Sequence, residues 1–135
     1  MTSDITHRDR TTDLGVVRIN NEAITTIASI AAMEVKGVYK MGGGIKRALH
    51  EVFLKSGAIG SGVRISTKDS EIKLVVSIIV EYGIDIPRVA DGVQDSVKHA
   101  VEKMTGLVMS EVDVVVDGVH TPSLHDNEKR RAPAI

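Results

Sequence analysis

The chain has no cysteine and no tryptophan, and its aromatic content is only 2%. Without cysteine there are no disulfides, no thiolate metal sites and no cysteine nucleophile, which fits a reducing compartment. With Phe53, Tyr39 and Tyr82 as the whole aromatic set, the core must be built from Val, Ile, Leu, Ala and Met. The same scarcity offers no stacking platform for single-stranded nucleic acid. The formal net charge is −1, so no global field draws DNA or RNA. No apolar run reaches the roughly 18 residues needed to span a bilayer. Residues Met1 to Asp13 are polar and mixed in charge, unlike a secretory signal peptide. The expected address is the cytoplasm.

What is present is organised around Glu71 to Leu107. Ile72, Leu74, Val76, Ile78, Val80 and Tyr82 fall on one side of a period-two ladder, and Lys73, Val75, Ser77, Ile79 and Glu81 on the other. The alternation and β-branched content predict a long strand with one buried face. Val75 and Ile79 make its second face partly apolar, which places it centrally in a sheet. Pro87 marks a helix start, because the first helical turn does not use the N–H that proline lacks. Val89, Val93, Val97, Ala100, Val101 and Met104 then repeat at helical spacing, and Gly106 stops the helix.

The rest of the chain completes one domain. Met1 to Leu14 shows no periodicity and is expected to be a tail. Gly15 to Ile19 is a short strand, and Asn20 and Asn21 supply an N-cap for a helix from Glu22 to about Val35. Val38 to Met41 forms a strand, Ile45 to Lys55 a short helix between glycine-rich segments, and Val63 to Thr67 a strand leading through a hairpin turn into the central one. Val108 to Val116 is the last strand, with Val112, Val114 and Val116 inward and Val115 the exception. The expected fold is α+β: a small two-layer sandwich of order β-α-β-(short α)-β-β-α-β, with helices packed on one mixed sheet. The domain is expected over 15–119, with disordered tails at 1–14 and 120–135.

Three blocks carry a family resemblance. Ile24, Ile27-Ala28, Ala31-Ala32-Met33-Glu34-Val35-Lys36-Gly37-Val38 form the first. Val80-Glu81-Tyr82-Gly83, Ile86-Pro87, Val89-Ala90, Val93-Gln94, Val97-Lys98, Val101-Glu102 and Met104-Thr105-Gly106-Leu107 form the second, and Val112 to Val119 the third. Together, over roughly Gly15 to Val119, they resemble the alkaline-shock, or envelope stress response, family of Gram-positive bacteria. The resemblance implies a non-enzymatic cytoplasmic protein that self-associates and sits at the inner face of the membrane through a membrane-anchored partner. It brings no catalytic motif to carry over.

The residues themselves leave several chemistries to weigh. Gly42-Gly43-Gly44 before Lys46 and Arg47 has the composition of an anion cradle, but lacks the Gly-Lys-Ser/Thr ending of a P-loop and reads as a hinge. Gly57 and Gly60 match the spacing of the clamp loop in a KH domain. A KH-like nucleic-acid-binding module is therefore the alternative reading, although no basic face surrounds that loop. His7, His50, His99, His120 and His125 do not converge, and His120 and His125 fall in the expected tail. Asp91 and Asp95 stand one helical turn apart, a spacing that any wet helix face shows. No catalytic, cofactor or metal residues are assigned, and no cofactor or small-molecule substrate is expected. Ile45, Leu49, Val52 and Phe53 form one apolar helical face, with Lys46, Arg47 and Lys55 beside it. They are the candidate partner-binding residues, for a protein surface or an anionic membrane.

Overall fold

A computed structural model describes residues 9–43, 62–68 and 71–122. Along the chain lie β1 (Asp9–Thr12), β2 (Gly15–Arg18), α1 (Asn21–Met33), β3 (Val38–Met41), β4 (Val63–Lys68), β5 (Glu71–Glu81), α2 (Ile86–Thr105) and β6 (Met109–His120). Among the described residues the fold is mixed α+β, with both helices on one face of a mixed four-stranded sheet.

β5 is the hub of that sheet. β6 runs parallel to it along one edge, from Ile72↔Met109 to Glu81↔His120. β4 and β3 share the other edge end to end, both antiparallel. β4 pairs from Val63↔Val76 to Lys68↔Glu71, while β3 pairs with Ile78 to Val80. They meet at Ser77, whose carbonyl accepts from the Gly42 amide at 2.8 Å and whose amide donates to the Gly62 carbonyl at 2.7 Å. A Cβ on Gly62 would lie 2.9 Å from the Gly42 carbonyl oxygen, so the junction closes only with glycine there.

The alternation in β5 becomes burial. Ile72, Leu74, Val76, Ile78 and Val80 are essentially sealed, and they join Val93, Val97 and Val101 of α2 and Ile24, Ala28, Ala31 and Ala32 of α1 in one core. The small side chains of α1 let the helices approach. Ser96 Oγ donates to the Ala31 carbonyl at 3.0 Å, and a Cβ on Gly92 would meet Val35 at 3.2 Å. Tyr82 and Met104, both expected on buried stripes, are 73% and 69% exposed. Tyr82 lies beyond the end of β5, and Met104 lies in the last turn of α2.

The helix ends are held differently. Asp85 caps α2, its carboxylate accepting from the Arg88 amide at 3.3 Å, and Gly106 closes the helix in a left-handed conformation. The capping expected from Asn20 is not made by its side chain. Its backbone carbonyl instead accepts from the Ala23 and Ile24 amides at 3.0 and 3.3 Å.

The N-terminal tail, expected to run to Leu14, is corrected from Asp9 onward. Asp9–Thr12 is a strand, paired with β2 from Asp9↔Arg18 to Thr12↔Gly15. Its sequence has no apolar alternation, so the strand arises from pairing and not from burial. Thr12 Oγ1 closes the turn, accepting from the Leu14 amide at 3.1 Å. The C-terminal boundary also moves: β6 continues through His120, which the sequence reading placed in the tail. Residues 1–8 and 123–135 lie outside the described residues.

Candidate interaction surface

The helices cover one face of the sheet, and among the described residues nothing covers the other. Cross-strand neighbours share a face, so the register defines this outer surface. β5 contributes Lys73, Val75, Ser77, Ile79 and Glu81, all partly exposed apart from the cover given by their neighbours. β6 contributes Glu111, Asp113 and Val115, the partners of Lys73, Val75 and Ser77. β4 adds Arg64 and Ser66, opposite Val75 and Lys73, and β3 adds Lys40 opposite Ile79. An apolar strip of Val75, Ile79 and Val115 therefore runs between a basic margin and an acidic one. Lys73 ties strip to margin, 3.4 Å from Asp113 and 3.7 Å from Glu111. The hydrogen bond and charge of Asp113, helped by Glu111, hold its ammonium above the ordinary lysine range.

Toward the end of β5 the outer face narrows. A bulge between Val38 and Lys40 displaces Tyr39, whose ring stacks on His120 with centroids 3.7 Å apart. The His120 Nδ1 atom is buried without a hydrogen-bond partner and lies 3.8 Å from Glu81 Oε1. A matching bulge in β6 brings Asp117 across: a Cβ on Gly42 would meet its carboxylate at 2.6 Å. That carboxylate repels the phosphate that the glycine-rich reading would place beside Gly42.

At the opposite end, Glu102 joins α2 to β6. Its Oε2 accepts from the Met109 amide at 2.9 Å and from Lys98 Nζ at 3.0 Å. The Met109 amide first, then the Lys98 ammonium, hold this carboxyl below its ordinary range. Away from the sheet, Ile19, Ala23, Ile27 and Met104 line an open cleft of about 680 Å³ beside the start of α1. The β1–β2 hairpin stands apart from the core, with Leu14 99% exposed and Val16 and Val17 more than half exposed.

The residues singled out from sequence fare unequally. Ile45, Leu49, Val52 and Phe53 lie outside the described residues, as do Gly57, Gly60, His7, His50 and His125. Asp91, Asp95 and His99 are exposed on α2, away from the outer sheet face. His120 is the residue that sequence reasoning missed. The only available signal was the apolar alternation of β6 persisting through Val119. Among the described residues no group of three or more His, Asp or Glu side chains could hold a metal ion. No helix among them is long and apolar enough to cross a membrane.

These features define a small α+β domain with one packed face and one open face. The chain belongs to the Asp-23 family, described as having a cell envelope-related function, whose model matches residues 9–121. It is 37% identical over 113 residues to the uncharacterized protein YqhY of Bacillus subtilis, covering 84% of this chain and 82% of that one. It is 34% identical over 110 residues to YloU of the same organism, covering 80% and 91%. A stress response regulator gls24 homolog of Streptococcus pyogenes is 25% identical over 125 residues, covering 92% of this chain and 70% of the relative. Among solved structures, a MamM-CTD structure aligns with a TM-score of 0.44 at 17% identity, over 73% of this chain and 98% of that one. The family is thus the envelope-related, stress-response family of Gram-positive bacteria that the three sequence blocks resemble.

Proposed function

We propose that this chain is a non-enzymatic protein of the envelope stress response that acts through protein–protein contact. It self-associates, and it binds a partner protein that holds it at the cytoplasmic face of the membrane. The observation that carries this reading is the sheet. Its outer face and its outer strands, β4 with β3 on one side of β5 and β6 on the other, are uncovered among the described residues, while the helices pack on the other face. Strand edges and open faces are surfaces to which a protein partner can add. The apolar set Ile45, Leu49, Val52 and Phe53 is assigned to the second contact, with the anchored partner. Membership of an envelope-related family supports the location.

Two measurements test this. Sedimentation velocity of the full chain over a range of concentrations should show assemblies that grow with concentration. Crosslinking in cells, followed by mass spectrometry, should recover a membrane protein with the parent chain and lose it with Leu49→Asp/Phe53→Asp, because a charge buried in a contact is costly. A chain that stays a single copy and crosslinks to no membrane protein contradicts the reading.

A further inference from the structure

The two edges of the sheet carry opposite charge. β4, with sequence VRISTK, has two cations and no acid, and β3 extends the same side of β5 with Lys40. β6, with sequence MSEVDVVVDGVH, has three acids and no Lys or Arg. We infer that copies of this chain join head to tail, the basic β4 edge of one copy pairing with the acidic β6 edge of the next. The inference rests on the self-association proposed above and names the surfaces that perform it.

Strand direction favours this pairing. β6 runs parallel to β5 and β4 antiparallel to it. A copy displaced sideways in the same orientation therefore presents its β4 antiparallel to the first copy's β6. The helices of both copies stay on one side, and the two sheets become one antiparallel-joined sheet. The lengths also agree. β4 has six residues, and β6 pairs without interruption from Lys73↔Glu111 to Ile78↔Val116, between two register irregularities. Heights along the strand match too. Arg64 and Asp113 are both partners of Val75, so sideways displacement sets the guanidinium of one copy beside the carboxylate of the next.

The symmetric alternatives oppose like charges. β6 against β6 brings Glu111 and Asp113 of two copies together with no Lys or Arg on either strand, and β4 against β4 brings Arg64 of two copies together with no acid. Like charges directly across a strand pair are destabilising. A contact between two different edges leaves a free edge at each end, so the assembly closes into a ring or continues as a filament.

The test uses the absence of cysteine in the full chain. Arg64→Cys and Asp113→Cys variants are prepared separately, then oxidised alone and as an equal mixture. The mixture should form disulfide-linked pairs, and neither variant should do so alone. A second arm reverses charge at the facing pair, with Arg64→Glu and Asp113→Lys. Lys73 retains Glu111 in the latter. Each reversal alone should lose assembly in sedimentation, and the equal mixture should regain it, because each reversed edge meets its complement. Thermal melting confirms that both variants fold. Crosslinking of Arg64→Cys alone or Asp113→Cys alone, more than in the mixture, would show symmetric edges and overturn the inference. A parent that assembles while the mixtures neither crosslink nor recover removes head-to-tail pairing and leaves self-association standing. A parent that remains a single copy removes both.

Discussion

The two faces of β5 are made from one strand, and they do different work. On the inner face Ile72, Leu74, Val76, Ile78 and Val80 are sealed under α1 and α2. On the outer face Val75 and Ile79 stand between Lys73, Ser77 and Glu81, and all five are only partly buried. The apolar residues of the outer face would suit a core if a helix lay over them. Composition and helix placement agree: the five unbroken aliphatic residues lie under α1 and α2, and the face interrupted by Lys73, Ser77 and Glu81 stays open. The inner face holds the fold, and the outer face with its edges stays open among the described residues.

Truncation should separate the faces by size of effect. Leu74→Ala removes buried methyl groups beneath the helices and should cost about 2–5 kcal/mol in chemical unfolding, through lost burial and a residual cavity. Val97→Ala, on the opposite side of the same core, should cost about 1–3 kcal/mol. Gly37→Ala should cost a comparable ~1–3 kcal/mol, because Gly37 has a φ of 106° and a Cβ there would sit 2.6 Å from Val89 Cγ2. Val75→Ala on the outer face should cost less than about 1 kcal/mol. Equal losses for Leu74→Ala and Val75→Ala would mean that something covers the outer face as fully as the inner.

The smallest effects are electrostatic and depend on pH. Glu102 is held below the ordinary carboxyl value of 4.5 by the Met109 amide and Lys98. A depressed carboxyl contributes stability that is present above its unfolded value and is lost as pH falls through the folded one. Glu102→Gln should therefore flatten the loss of stability below about pH 4.5 and change little at neutral pH. Lys73 has the opposite sign. Its raised value gives a contribution that is complete below 10.5 and is lost as pH rises through the folded value. Lys73→Met should flatten the alkaline limb. Melting curves across pH check both.

The parts of this architecture that were legible in sequence are those where a period meets burial. β5 alternates over eleven residues and α2 repeats over twenty, long enough for the pattern to stand out. β1 could not be read that way, because Asp9-Arg10-Thr11-Thr12 owes its strand state to hydrogen bonds with β2. The Asp85 cap was hidden behind the stronger signal of Pro87. The surface was harder still. Val75, Ile79 and Val115 were visible as apolar exceptions, yet the opposed charges of β4 and β6 become two edges only once both strands are seen flanking β5. His120 looked like a tail residue because its stacking partner, Tyr39, lies far away in sequence.

If the edges of this sheet are contact surfaces, amide hydrogen exchange of the full chain should differ between low and high protein concentration. β5 is already paired along both sides, so its exchange should not depend on concentration. Amides of β4 and β6 that face away from β5 should slow as concentration rises, and high salt should reverse the slowing. Exchange in β4 and β6 that is the same at every concentration, with the chain folded throughout, would contradict the account.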